Sequence, residues 1–114
     1  MQEFRQRGAA DVVSQISKVL SGRPVYIKFD LDCIDPTIAP GVSNIEASEK
    51  GFDIDEAITL LRAVRGMNIL GGDVVCMMPT KDNPNQIAAL TASAVMFEMI
   101  SMVAQIQTRE SGAP

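Results

Sequence analysis

A short apolar run that ends in acids is the feature that most constrains this chain. Residues 25–29 alternate in character and are rich in β-branched and aromatic side chains, which is typical of a strand. Asp30, Asp32 and Asp35 follow directly. Because an unpaired charge is costly to bury, acids at the end of a buried strand need a partner. Two aspartates one residue apart, where a strand gives way to a loop, are well placed to hold a hard divalent cation. The carboxyl end of a strand in an α/β sheet is also where ligands bind.

The segments around this run predict a helix, a loop and a second helix. Apolar residues recur at helical spacing over residues 8–20, which predicts the first helix. Residues 35–51 are rich in proline, glycine and small polar residues and predict a long loop, and loops of this length in compact domains are usually functional. Asp53, with Glu56 three residues later, predicts a capping box at the start of the second helix.

The rest of the chain predicts a second strand and a last helix. Residues 68–77 form the strand pattern, which is split by two glycines. The last helix is predicted to begin near Pro84, with Asn83 as its cap, and to reach about Gln105, leaving a frayed tail at residues 108–114. Two strands joined through a helix imply a parallel pair with a right-handed crossover, and hence the α/β class.

Length and composition favour a piece of a larger globular domain. The chain has 114 residues, enough for at most one domain, and 46% of them are hydrophobic. Two strands cannot make an independent α/β sheet with both faces covered, and an almost wholly apolar last helix needs more partners than this chain offers. The net charge of −4 disfavours a nucleic-acid partner.

Membrane insertion and secretion are also disfavoured. Residues 87–104 are the one apolar segment of sufficient length, but Glu98 and several hydroxyl side chains interrupt it. A charge at the bilayer centre costs about 2.5–3.5 kcal/mol, so a buried core helix is the better interpretation. No secretory signal pattern is present at the start. Cys33 and Cys76 are interpreted as reduced, partly buried thiols of a cytoplasmic protein.

The sequence from residue 30 to residue 41 closely resembles a family signature. It reads D-L-D-C-I-D-P-T-I-A-P-G, and it is similar to the D-x-D-x-x-D-P-x-x-A-P-G signature of the ureohydrolases, the family of arginase, agmatinase, guanidinobutyrase and formiminoglutamase. The later G-G-D-V-V at residues 71–75 follows in the family's order, and the resemblance covers residues 4–107. It implies a partial three-layer, parallel-sheet, arginase-like fold. Residues 1–114 are then the C-terminal part of a single ureohydrolase-like domain, similar to that of an agmatinase.

The resemblance places Asp30 and Asp32 among the ligands of a pair of manganese ions. Ureohydrolases use that pair to hydrolyse C–N bonds of guanidino or formimino groups, because two ions that share anionic oxygens lower the pKa of a water and make hydroxide available near neutral pH. By spacing alone, the two aspartates could equally cap loop amides. No catalytic residue of the chain is assigned.

Four other residues of the signature are interpreted as structural. Asp35 precedes Pro36, which holds it extended and favours a turn, so Asp35 is expected to fix the loop rather than to bind metal. Pro40 and Gly41 are expected to turn the loop back over the site.

Two departures from the family pattern bear on the substrate. Cys76 stands where agmatinases and arginases typically carry a glutamate that helps receive the guanidinium, and a neutral thiol cannot replace that charge-assisted hydrogen bond. Residues 41–51 also lack most of the family's glycines and threonines in the stretch that lines the substrate pocket. Either the substrate differs, or a pocket-loop carboxylate takes over, for which Glu46 is the nearest candidate. Glu46 and Cys76 are therefore the candidate substrate-binding residues.

A third departure concerns the ligand set. The chain contains no histidine, and the family's G-G-D-H and D-x-H-x-D motifs are absent. We therefore expect metal-dependent hydrolysis of a small guanidino-type substrate in the parent protein and no activity in this chain alone. The resemblance also implies a homo-oligomer, a trimer or hexamer.

Two rival functions remain at this point. A truncated ureohydrolase could act only as a module that assembles with full-length partners. A haloacid-dehalogenase-like phosphatase also begins with a strand and an Asp-x-Asp pair. However, it leaves the two prolines of the signature unexplained, and Lys81 followed by Asp82 is a poor match to its downstream residues.

Overall fold

The computed structural model describes residues 1–45 and 50–112. The described elements, in chain order, are α1 (Gln2–Arg7), α2 (Ala9–Leu20), β1 (Val25–Asp30), α3 (Ile54–Ala63), β2 (Ile69–Val75) and α4 (Ile87–Glu110). One-turn 3-10 helices cover Leu31–Cys33 and Pro79–Lys81.

The two strands form a parallel pair, as the sequence predicts. Tyr26 lies opposite Gly71, and Asp30 lies opposite Val75, so the carboxyl ends of the strands finish side by side. The ladder has one irregularity, next to Val25, at the start of β1. The predicted α/β class with a parallel pair is confirmed.

The sheet has one covered face and one open face among the described residues. Burial alternates along β1: Val25, Ile27 and Phe29 face a core that α3 and α4 complete, whereas Tyr26 and Lys28 are exposed. The buried members of that core are Leu61, Ile69, Val95, Met99 and Met102. The described chain therefore contains one helical layer and the sheet, which is consistent with a partial form of a layered α/β fold.

A second, smaller core lies under the loops at the carboxyl end of the sheet. Its buried members come from the turn after β1, from the long loop and from the first turns of α3 and α4: Leu31, Ile34, Ala39, Val42, Ala57 and Ala88. This core packs the loops against α3 and α4 and so fixes their position beside the carboxyl ends of the strands.

The helix that follows the long loop begins as predicted. The Asp53 carboxylate accepts a hydrogen bond from the Glu56 amide at 2.8 Å, and the Glu56 carboxylate accepts one from the Asp53 amide at 3.0 Å. The two bonds complete the predicted capping box.

The first helix differs from the sequence prediction. Gly8, at φ 80, divides the predicted segment 8–20 from the preceding α1, which has no strong apolar periodicity and which the sequence prediction missed. A short helix with polar faces gives no signal of this kind, because its partners lie elsewhere in the chain.

The ends of the last helix also differ from the prediction. Helix α4 begins after Gln86, whose φ is 56, while the Asn83 carboxamide accepts a hydrogen bond from the Ile87 amide at 3.2 Å. The Asp82 carboxylate accepts from the Ala88 and Ala89 amides, each at 3.1 Å, so a side chain four residues before the cap supplies two further bonds. The helix continues to Glu110, and the expectation of a frayed tail from residue 108 is wrong at residues 108–110.

Helix α4 is also the one described helix that is long and apolar enough to cross a membrane, judged by length and composition alone. Its buried Glu98 accepts hydrogen bonds from Arg62 at 2.6 Å and from Arg65 at 3.2 Å. These two guanidinium groups compensate the buried charge.

Candidate functional site

The carboxyl ends of the two strands bring three potential metal ligands together. Asp30 is the last residue of β1, Asp32 follows in the next turn, and Cys76 comes directly after β2. Their ligand atoms, two carboxylate oxygens and the Cys76 Sγ, all lie within 4.8 Å of one another. We call these three residues the strand-end cluster.

The aspartate turn (residues 30–35) fixes the spacing of the two carboxylates. Asp30 caps the 3-10 helix Leu31–Cys33, because its Oδ1 accepts a hydrogen bond from the Asp32 amide at 3.0 Å. The Leu31 side chain between them is fully buried. Burial of Leu31 leaves Asp30 exposed and Asp32 partly buried on the same rim.

Asp35 lies in the same turn but outside the strand-end cluster. Its Oδ1 accepts hydrogen bonds from the Thr37 amide and hydroxyl, which lower the pKa of Asp35 below its ordinary value. Its carbonyl accepts the amides of Ile38 and Ala39, at 2.9 and 3.0 Å. These bonds wind residues 35–39 into a tight turn that contains the partly buried Pro36.

The long loop returns to the site immediately after Pro40. The Val42 amide donates to the Pro40 carbonyl at 2.9 Å, and Val42 forms an antiparallel bridge with Met77. The Gly41 carbonyl accepts the Met78 amide at 2.8 Å. A Cβ at Gly41 would lie 2.8 Å from the Cβ of Asp82, so no larger residue fits without a shift. The loop and the chain after β2 are thereby joined beside the strand-end cluster.

Cys76 has an unusual backbone conformation. Its φ of 67 lies in the left-handed region, where a residue with a side chain is strained. The Cys76 carbonyl accepts both the Ser43 amide at 2.9 Å and the Ser43 hydroxyl at 3.2 Å, which hold this conformation. A hydrogen bond from the thiol to the Asp30 carboxylate, together with burial, raises the pKa of Cys76. Both effects disfavour the charged thiolate beside the two aspartates.

The other cysteine lies behind the rim. Burial, with a smaller effect of the Asp30 charge, raises the pKa of Cys33 to about 11. Cys33 packs against the loop core rather than joining the strand-end cluster.

Two contributors to the site were not predicted from the sequence. Ser43 hydrogen-bonds to Cys76 across 33 positions, and the Lys81 ammonium donates to the Ser43 carbonyl at 2.8 Å. Local periodicity cannot reveal such pairs, because the partners meet only when the loop folds back. The candidate residue Glu46 lies outside the described residues.

The strand-end cluster is a partial metal site by its chemistry. Two carboxylates suit a hard divalent ion, and manganese also accepts imidazole, but the sequence contains no histidine to complete two sites. The cluster therefore offers some of the ligands that a pair of ions needs, together with one sulfur.

Comparison with known proteins gives a consistent family. The Arginase family model matches residues 1–101. An agmatinase of Citrobacter koseri is 37% identical over 98 residues, which are 86% of this chain and 31% of that protein. A hypothetical agmatinase from Burkholderia thailandensis superposes with a TM-score of 0.83 at 31% identity, over 92% of this chain and 32% of that chain. Proclavaminate amidino hydrolase from Streptomyces clavuligerus gives a TM-score of 0.83 at 29% identity, over 90% of this chain and 34% of that chain. The chain thus spans about a third of the length of the relatives it matches.

Proposed function

The chain belongs to the arginase family, and we propose that it forms part of a manganese-dependent, agmatinase-like hydrolase of guanidino C–N bonds. The observation that carries this proposal is the strand-end cluster: Asp30 and Asp32, which the resemblance to the family signature makes metal ligands, lie together at the carboxyl end of β1, and Cys76 lies beside them at the end of β2. The similarity to agmatinases and to an amidino hydrolase supports the substrate class.

Asp30 and Asp32 are the residues of this chain that would hold the metal. When bound, a pair of manganese ions lowers the pKa of a water, so that hydroxide is available near neutral pH to attack the guanidinium carbon. The capping bond from the Asp32 amide orients the Asp30 carboxylate toward the rim. In this proposal Asp35, Pro36, Pro40 and Gly41 hold the loop beside the metal ligands and bind no metal.

Cys76 and Glu46 are proposed to set substrate preference. The Cys76 thiol lies at the rim, beside the metal ligands, where the family typically carries a carboxylate. Because a thiol cannot form the charge-assisted bond that a carboxylate forms with guanidinium, Glu46 is the candidate replacement on the substrate side.

We further propose that residues 1–114 are the C-terminal part of a single ureohydrolase-like domain. The open sheet face and the exposed Leu90, Phe97 and Ile100 of α4 support this, because each needs a covering that the described residues do not supply. The remainder of the domain would bring the histidine ligands. A cytoplasmic homo-oligomer, a trimer or hexamer, follows from the same family resemblance.

The same exposed side chains favour one second candidate function. The chain could act as a non-catalytic module that assembles with a longer family member through these surfaces. In that case the strand-end cluster would bind no functional metal pair.

A chimera tests the proposed chemistry. This chain would replace the 98 matched residues of the Citrobacter koseri agmatinase, and urea release from agmatine, arginine and 4-guanidinobutyrate would be measured with and without EDTA. We expect chelator-sensitive urea release. Asp30→Ala and Asp32→Ala should each lower it by more than about 100-fold, since removal of outer partners of a ligand already costs 10–100-fold. The double variant should cost little more, because both residues act through the same metal pair.

The control for this experiment is Asp55→Ala, which removes an exposed carboxylate in the first turn of α3. Retention of both metal and activity in Asp30→Ala would refute the proposal. A folded, oligomeric chimera that neither binds manganese nor releases urea would favour the assembly module.

Cys76→Glu tests the specificity proposal in the same chimera. We expect a shift in relative kcat/KM among the three substrates with unchanged manganese content. An unchanged substrate profile would remove Cys76 from the specificity proposal and leave the metal proposal intact.

A further inference from the structure

Arg5 connects the first helix to the far end of the long loop. Its Nε and Nη2 donate to the two Glu56 carboxylate oxygens at 2.7 and 2.9 Å, and Nη2 also donates to the Gly51 carbonyl at 2.8 Å. Beside it, the rings of Phe4 and Phe52 meet edge to face with centroids 5.0 Å apart. Helix α1 thus holds residues 51–52 through both a charged and an aromatic contact.

Residues 51–52 lie directly on the aspartate turn. The Phe52 amide donates to the Cys33 carbonyl at 2.9 Å, and the Phe52 carbonyl accepts the Asp35 amide at 2.9 Å. A Cβ at Gly51 would lie 2.7 Å from the Asp35 nitrogen and 2.7 Å from the Cys33 oxygen. The backbone of the returning loop is therefore in close contact with the residues that follow Asp32.

We propose that Arg5 is a positioning residue for the metal ligands. It fixes residues 51–52, and Phe52 pairs with the backbone on both sides of Ile34. That pairing holds the aspartate turn in place, and with it the position of Asp32 relative to Asp30. The inference rests on the proposed function, because it takes Asp30 and Asp32 to be the ligands whose geometry is held.

Arginine suits this role, and lysine does not. The planar guanidinium forms two parallel bonds to one carboxylate and still has donors for a carbonyl, whereas an ammonium acts as a point charge. Glu56 is itself fixed by its bond to the Asp53 amide. Arg5 therefore links the start of α3, at Glu56, to the end of the long loop, at Gly51. The relative position of these two residues decides where the loop returns to the aspartate turn.

Arg7 is a matched control. Its side chain is 30% exposed against 32% for Arg5, and it also forms bonds to carboxylates, those of Glu3 and Asp11. Both partners belong to α1 and α2, so Arg7 stabilises these helices without contacting residues 51–52.

The experiment uses the full chain and two NMR readouts. Amide exchange of Phe52 and Asp35 reports the pairing, and broadening of the Asp30 and Asp32 amides by added Mn²⁺ reports metal affinity. In Arg5→Ala we expect the Phe52 and Asp35 amides to exchange about 10-fold faster, which is the loss expected for charge-assisted bonds. We expect the apparent Kd for Mn²⁺ to rise by about 10-fold, the lower end of the effect of outer partners of a ligand. Arg7→Ala should change neither readout, and Arg5→Lys should restore each only in part.

The outcomes separate the inference from the proposed function. If Arg5→Ala matches Arg7→Ala in both readouts, Arg5 only stabilises the packing of α1 and the inference is wrong. Loss of the broadening in Asp32→Ala would still support the metal proposal. If Asp32→Ala leaves the broadening unchanged, the metal proposal fails, and the exchange of Phe52 still shows whether Arg5 holds the loop.

A second variant tests the same inference if Arg5→Ala does not fold. Gly51→Ala keeps Arg5 but places a Cβ against backbone atoms of the aspartate turn. It should weaken Mn²⁺ binding as Arg5→Ala does. Wild-type affinity in a folded Gly51→Ala protein would overturn the proposed path from Arg5 to Asp32.

Discussion

The carboxyl end of the sheet and the outer face of α4 differ in how far the described chain supplies their partners. At the strand ends, the backbone of the aspartate turn is bonded to Phe52, and the chain after β2 is bonded to residues 41–43. On the outer face of α4, Leu90, Phe97 and Ile100 are 60%, 69% and 60% exposed. Among the described residues, the backbone of the first region is held by hydrogen bonds within the chain, whereas the apolar side chains of the second region are exposed.

The difference indicates which part of the molecule depends on a partner. Burying one large apolar side chain stabilises a protein by about 1.5–3 kcal/mol. Covering the exposed apolar side chains of α4 would therefore add substantially to the stability of the helix. The loops of the site depend instead on hydrogen bonds and close backbone contacts inside the chain. We therefore expect the geometry of the candidate site to be less sensitive to the missing covering than the stability of α4.

The largest change in the free energy of unfolding should come from one of two neighbouring residues of α4 and not from the other. Met99 is 2% exposed in the helix–sheet core, whereas Ile100 points outward. We expect Met99→Ala to lower the free energy of unfolding by about 2–5 kcal/mol, and Ile100→Ala to change it by less than about 0.5 kcal/mol. Urea denaturation at two protein concentrations measures both. Equal losses would contradict the proposed difference between the two regions, because they would mean that the outer face is packed in solution.

A smaller effect is expected from a methyl group at the loop crossing. Gly41→Ala places a Cβ 2.8–3.0 Å from Asp82 and Ala88, whereas Gly71→Ala meets the Tyr26 ring at an ordinary 3.4 Å. Overpacking of this kind costs about 1–3 kcal/mol, so Gly41→Ala should be the more destabilising of the two. The same denaturation experiment decides it, and the reverse order would show that the loop near the site can adjust.

The smallest effect should appear on acidification. The hydrogen bond from Arg62, and then the charges of Arg62 and Arg65, hold the pKa of Glu98 below its ordinary value of 4.5 despite its burial. Because the pKa is lowered in the folded state, the stabilisation is complete above the ordinary pKa and is lost as the pH falls through the folded-state pKa. The two arginine side chains are 60% and 38% exposed, so solvent screens part of the effect.

Glu98→Gln isolates this contribution. Between about pH 5 and about pH 3, the free energy of unfolding should fall more steeply in the wild-type chain than in Glu98→Gln, since the other carboxylates titrate in both. Parallel pH profiles would mean that the Glu98 charge adds nothing to the packing of α4.

Prediction from the sequence succeeded where the signal is local. Alternation placed β1 within one residue, because side chains on opposite faces of a strand meet different environments. The capping box was readable because both partners lie in one turn of α3. The signature at residues 30–41 identified the family, since its spacing reflects one turn geometry at a strand end.

Contacts between residues that are far apart in the sequence became visible only in the folded chain. The pairing of Ser43 with Cys76, the contact of Arg5 with Gly51 and the crowding at Gly41 join positions 33 or more apart. The sequence marks Asp30, Asp32 and Cys76 as candidates, but only the parallel register, with Asp30 opposite Val75, brings the Cys76 sulfur to the two carboxylates. Local patterns record which face of an element is buried, whereas the geometry of a site is set by the close packing of segments that are far apart in the chain.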